Sequence, residues 1–265
     1  MYVLKKIGIP IVEHCNLNCK GCLHFCNVKQ KCFYYDHMEY ESDIKKLIEI
    51  FDSIEVIRVY GGEPLLHPDL VKILDLTRKY FTNSKIELLT NGLLLSQMSE
   101  QFYECIKNNN INIIWSIYPV ENFNEIEIEN KLISEKIQYT KNVITDFYGI
   151  FNPYGNSNPN YQWKRCSGRE CHVLRKGYIS ACPAPAVEHI INEVFNQRLN
   201  FITSKLNIYD KNTNAKSIID FLEQPHDVCR YCSGARRFIW EKQNNPIIED
   251  WYGKRGNDEF SLFSN

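Results

Sequence analysis

The stretch His14-Cys15-Asn16-Leu17-Asn18-Cys19-Lys20-Gly21-Cys22 decides how the rest of the chain reads. Its three cysteines, spaced C-x3-C-x2-C, follow directly on Gly8 to Glu13, an apolar run that reads as a β-strand. At i, i+4 and i+7 they would share one stripe of a helix. Asn16, Asn18 and Gly21 are poor helix formers, so a loop folded around a metal fits better. Three close thiolates leave one position of a four-ligand centre open, which suits an iron–sulfur cluster that binds a further ligand. Zinc completed by Cys26 or His14 is the alternative.

Outward from this stretch, short β-rich runs alternate with helical patterns. Tyr40 to Phe51 carries Ile44, Leu47, Ile48 and Phe51 at helical spacing, and Glu55 to Tyr60 reads as a strand. Pro68 to Phe81 is helical, Lys85 to Thr90 a strand ending at the Asn91-Gly92 turn signal, and Ser96 to Lys107 helical. Ile111 to Tyr118 is a strand, Glu125 to Ile137 a helix, and 138–151 holds a further strand. This alternation predicts parallel βαβ units, in an open sheet or partial barrel, whose ligands gather at the strands' carboxyl ends. The cysteine stretch, Gly61-Gly62-Glu63-Pro64 and Thr90-Asn91-Gly92 all fall at such ends. The run 152–160, rich in Asn, Gly, Ser and Pro, reads as a loop and domain boundary. Beyond it, Leu174-Arg175-Lys176-Gly177-Tyr178 predicts a hairpin and Ala215 to Glu223 a short helix.

Composition narrows the class. The 265 residues are 44% hydrophobic and 24% charged, ordinary for a globular chain. Lysine plus arginine is 31 against 32 acidic residues, a net charge of −1 that advertises neither nucleic acid nor an anionic membrane. No apolar run has the length of a membrane span, and the opening residues show no signal peptide, so a cytoplasmic protein is expected. In a reducing compartment eleven cysteines point to metal binding or chemistry rather than to disulfides.

The combination of C-x3-C-x2-C after the first strand, Gly61-Gly62-Glu63-Pro64 after the second, Thr90-Asn91-Gly92 after the third and Ser116-Ile117-Tyr118-Pro119 on the fourth resembles the radical S-adenosylmethionine superfamily. The likeness implies a partial (βα)6 TIM-like barrel. It also implies a 4Fe-4S cluster on Cys15, Cys19 and Cys22, with S-adenosylmethionine chelating the open iron. Gly61, Gly62, Glu63 and Pro64 would lie against the methionine end of that cofactor, with Glu63 accepting from its ammonium. Thr90, Asn91 and Ser116 match positions of further polar contacts. The family usually has an aromatic residue just before the third cysteine; here Gly21 stands there, and His24 or Phe25 is the candidate to cover the adenine.

Cys166, Gly177 and Cys182, followed by Cys229-Arg230-Tyr231-Cys232, resemble the auxiliary-cluster extension of the same superfamily in its short, Twitch form. That likeness implies a second 4Fe-4S cluster, on Cys182, Cys229, Cys232 and either Cys166 or Cys171. Cys171, if unligated, is a candidate hydrogen donor. Structural zinc on the same four thiols is the competing reading. The layout is thus a core over 1–151, a linker over 152–165 and a small hairpin-and-helix extension over 166–265. The expected function is abstraction of hydrogen from a small carbohydrate-type substrate, a nucleotide sugar or aminocyclitol, by a dehydrogenase or epimerase. A one-electron donor such as flavodoxin or ferredoxin would serve it. Modification of a ribosomal peptide is the rival enzyme reading, and a zinc-stabilised, non-catalytic binding module the rival from another class.

Overall fold

The computed structural model describes residues 1–28, 32–121 and 123–254. Its first half alternates strand and helix: β1 (Val3–Pro10), α1 (His37–Ile50), β2 (Ser53–Tyr60), α2 (Leu70–Tyr80), β3 (Lys85–Thr90), α3 (Glu100–Asn108), β4 (Ile111–Ile117), α4 (Glu125–Ser134) and β5 (Tyr139–Val143). The five strands pair in parallel in the order β5-β4-β3-β2-β1. Crossover helices cover such a sheet, so its strands can be apolar almost throughout. Ile7, Ile9, Ile57, Val59, Leu88, Ile113 and Trp115 accordingly form one core with Ile44, Leu47, Ile73, Leu74, Phe102 and Ile106 of the helices. Helix ends follow local chemistry that periodicity misses. Asp36 caps α1 by accepting from the Met38 and Glu39 amides, which starts the helix before its apolar stripe. Ser99 caps α3, so the segment 95–97 is a separate 3-10 turn. Lys136, left-handed at φ 56°, closes α4 ahead of Ile137.

The mixed α/β class with a parallel sheet is as expected, but the sixth strand is supplied differently. The segment 138–151 holds two strands, β5 and β6 (Asp146–Phe151). The gap between them is far too short for a parallel crossover, which takes a dozen or more residues. β6 therefore leaves the sheet and pairs antiparallel with β10 (Cys232–Ile239). After α5 (Pro159–Arg165), the hairpin β7 (Val173–Arg175) and β8 (Tyr178–Ser180) adds to the free edge of β1, with β7 parallel to it at Gly8 and Val173. α6 (Ala184–Phe195), β9 (Lys205–Asn207) and α7 (Ala215–Leu222) complete the chain, β9 lying antiparallel to β8.

The hairpin turns at Lys176 and Gly177, both at positive φ (47° and 73°), the pair of conformations that matches strand twist in a two-residue turn. Buried Asp43 of α1 holds this turn. It accepts from the Gly177 amide at 2.7 Å, the Tyr209 hydroxyl at 2.6 Å and the Tyr35 hydroxyl. A second core of Phe25, Val187, Ile190, Phe201, Val228 and Trp251 packs α6 against the loop after the first cysteines. Residues 255–265, the end of the expected extension, lie outside the described residues.

Candidate functional site

The carboxyl ends of β1 to β4 converge on the first cysteine loop. Cys19, Leu17 and Trp240 form a small apolar cluster to which Cys15, Cys22 and Tyr118 add. The thiols are close enough to act on one another. Burial, then its neighbours Glu63, Cys22 and Cys19, push the Cys15 thiol far up, and burial with Cys22 pushes Cys19 to about 12. Cys22 moves the other way, held down by the Cys26 thiol and by the backbone amides of Cys26, His24 and Phe25, which favour its thiolate. Among the described residues no three His, Cys, Asp or Glu side chains close into a metal-ligating cage.

Residues from the far end of the chain hold this loop. The Lys20 amide donates to the Glu241 carbonyl at 3.0 Å, and the Gln243 amide to the Asn18 carbonyl at 2.7 Å. Trp251 donates its Nε1–H to the Cys22 carbonyl at 2.7 Å and stacks on Phe25 with centroids 4.5 Å apart. Phe25 is therefore committed to packing. His24 is half-buried against the edge of the Tyr60 ring, and desolvation lowers its pKa to about 4, leaving it neutral.

Gly62 passes so close to β1's continuation that an added Cβ would stand 2.0 Å from the His14 carbonyl oxygen. Next to it, Glu63 is fully buried and begins the 3-10 turn Pro64–Leu66, with Pro64 at its first position. Its Oε1 accepts from the Leu65 amide (3.0 Å) and the Thr90 hydroxyl (2.6 Å), and its Oε2 from the Asn91 amide (2.8 Å). Burial outweighs these bonds and raises its pKa to about 7. A carboxylate has about four acceptor positions, so one remains on Oε2. Asn91 carries the linkage on to the thiols, its amide nitrogen 2.7 Å from Asn16 Oδ1 and 3.6 Å from Cys15 Sγ. Glu63, Thr90 and Asn91 thus form one hydrogen-bonded bracket. Ser116 stands near the end of β4, opposite Asn142 of β5, and is half-buried.

The second set of thiols gathers from four places. Cys166 caps α5, Cys182 follows β8, Cys229 lies in the 3-10 turn Asp227–Tyr231, and Cys232 begins β10. Burial raises all four, Cys182 to about 12, and they repel one another's thiolates: Cys166, Cys182 and Cys229 all act on Cys232. Cys171 is exposed and acts on Cys166 and Cys182, but is absent from the causes that raise Cys229 and Cys232.

Tyr60 is buried at the end of β2. Burial raises its hydroxyl first, followed by Cys171, Cys26 and Cys182. A small cavity opens beside it, lined by Glu13, His24, Cys26, Arg175 and Pro183 among others. In it Arg175 donates to Glu13, and His189 lies 3.2 Å from the second Glu13 oxygen. Burial opposes the Glu13 charge, but His189 and Arg175 more than offset it and hold its pKa below the usual value. A wider polar cavity of about 150 Å³ adjoins, sharing Arg175 and lined by His189, Glu188 and Lys205. Glu13, Arg175, His189, Trp240 and Trp251 were not singled out from sequence. Each is an unremarkable residue locally, and only Glu13, at the end of the expected strand Gly8 to Glu13, carried a positional signal; the observed β1 runs Val3–Pro10, so Glu13 lies three residues beyond it.

Residues 9–139 match the sequence model of the radical SAM superfamily. This stretch of the chain is a radical SAM domain, of a superfamily built on a 4Fe-4S cluster and S-adenosylmethionine. Curated relatives include the GTP 3′,8-cyclase of Clostridium acetobutylicum, 32% identical over 128 residues, covering 45% of this chain and 39% of the relative. That of Thermodesulfovibrio yellowstonii is 29% identical over 110 residues, covering 40% and 34%. The chain thus spans well under half the length of these relatives. Among solved structures, BtrN in complex with AdoMet and 2-DOIA superposes with a TM-score of 0.56 at 18% identity, covering 86% of this chain and 92% of BtrN, a likeness of fold. Among the described residues no helix is long and apolar enough to cross a membrane.

Proposed function

We propose that the chain is a radical SAM enzyme that abstracts hydrogen from a small carbohydrate-type substrate, with an auxiliary cluster at its second thiol set. The observation that supports this is the first cysteine loop, whose thiols lie close enough to act on one another beside the buried bracket of Glu63, Thr90 and Asn91. The donor chemistry fits: three thiols for a cluster with one open iron, four for a closed one. An orphaned indole N–H, that of Trp240, also waits beside the first set. Bound there, the cluster and S-adenosylmethionine would supply a 5′-deoxyadenosyl radical by one-electron cleavage of the sulfonium.

The chain's own residues bind, orient and shield. Cys15, Cys19 and Cys22 hold the first cluster. Gly61 and Gly62 keep the backbone close to it, and the last acceptor position of Glu63 takes the cofactor ammonium. Thr90 and Asn91 fix that carboxylate, and Ser116 contributes from β4. Cys166, Cys182, Cys229 and Cys232 hold the second cluster. Glu13, Arg175 and the neutral His24 offer acceptors and donors for a polyol's hydroxyl or amino groups. The relatives' GTP substrate is not carried over, because the shared stretch ends within the core. Cys171 is exposed and lines neither cavity, which favours oxidation over hydrogen return from that thiol.

The test is 5′-deoxyadenosine release by anaerobically reconstituted protein with reductant. Nucleotide sugars and aminocyclitols are compared with no substrate, in deuterated water. Stimulated release and a sugar two mass units lighter support a dehydrogenase, whereas deuterium gain without oxidation indicates an epimerase. Unstimulated release removes the carbohydrate class and favours peptides. Zinc without acid-labile sulfide removes the enzyme reading altogether.

A further inference from the structure

We propose that Trp240 is a positioning residue for the first cluster, its indole N–H donating to the Cys19 sulfur and making the centre held there easier to reduce. The inference rests on the cluster assignment above. Trp240 follows β10, its backbone amide bonded to the Thr145 carbonyl at 2.9 Å, so the ring is delivered by the end of a strand and not by a free loop. The ring is buried, packs on Leu17 and Cys19, and leans on Tyr118 with centroids 5.7 Å apart. Its Nε1–H is buried without any hydrogen-bond partner. The other tryptophan at this loop has its N–H already occupied, since Trp251 donates to the Cys22 carbonyl.

A buried donor without an acceptor is a cost that native structures rarely carry. A neutral thiol is a weak acceptor; a metal-bound thiolate is a far better one. Hydrogen bonds to cluster sulfurs draw off negative charge and so favour the reduced, more negative state, which raises the reduction potential.

The test is an anaerobic redox titration of the full chain, followed by electron paramagnetic resonance of the signal that changes when S-adenosylmethionine is added. Trp240→Phe keeps the ring and removes the N–H. It should bind the same iron and lower the reduction equilibrium constant roughly tenfold, about 59 mV for one electron. Trp251→Phe should move that constant less than about twofold. With indole-15N-tryptophan, the reduced wild type and Trp251→Phe should show a nitrogen coupling to the cluster. An unchanged midpoint in fully loaded Trp240→Phe, an equal shift in Trp251→Phe, or no indole coupling in the labelled wild type overturns the proposal. The labelled wild type decides should Trp240→Phe fail to load. A protein with no signal responsive to S-adenosylmethionine sinks the cluster assignment itself.

Discussion

Replacing Asp43 tests how the hairpin turn is tied to α1. Its carboxylate is 4% exposed and accepts three bonds, from Tyr35 and Tyr209 hydroxyls and the Gly177 amide. In Asp43→Ala the half-exposed Tyr209 can turn its hydroxyl to water, but the buried Tyr35 hydroxyl and the Gly177 amide cannot. Two buried donors left unsatisfied, at about 1–3 kcal/mol each, put the loss near 4 kcal/mol. Asp43→Asn keeps one oxygen to accept, and its NH₂ can turn to a Tyr35 oxygen, so it should lose about 1–2 kcal/mol. Urea unfolding reads both. Hydrogen exchange at the Gly177 amide should accelerate on the order of a hundredfold or more in Asp43→Ala, because the turn opens before the core does. A loss below about 1 kcal/mol in Asp43→Ala, or equal losses in the two variants, would refute the assignment of Asp43 as the anchor.

Two other outcomes follow from the geometry. Cys166→Ala should halve the iron bound by the reconstituted chain while Cys171→Ala leaves it whole; the opposite result would exchange their roles. Glu87 is buried beneath Arg58, which reaches one of its oxygens at 2.6 and 3.0 Å, and Lys85, 2.7 Å from the other. Burial opposes its charge, but Lys85 and Arg58 prevail and its folded pKa lies below 4.5. The stabilisation is therefore present above pH 4.5 and lost as pH falls through the lower folded value. Glu87→Gln should be less stable than wild type by about 1 kcal/mol at pH 7, with the gap closing as pH falls below 4.5. A gap independent of pH would show that packing, not charge, is what the substitution removes.

Much of the core was legible because it depends on local spacing. β3 runs over the six residues its pattern marked, and β2 and β4 lie within two residues of theirs. Ends were less legible where a side chain sets them, as Asp36 does for α1 and Ser99 for α3. The fate of β6 was illegible, since its own composition does not say which strand completes its hydrogen bonds. Its partner, β10, lies some eighty residues away.

The same division runs through the site. Local order alone determined that three thiols share one loop and that glycine and an acid follow the second strand, because those relations are set by spacing along the chain. Tertiary structure decided that Glu63 brackets Thr90 and Asn91, and that Arg175 crosses from β7 to Glu13. It also decided that the stretch from Phe238 to Trp251 closes over the first cysteines. Those contacts join residues from roughly 30 to more than 200 positions apart. What brings them together is the burial of a shared apolar core, a force without direction along the sequence, so no pattern in the chain announces which residues will meet.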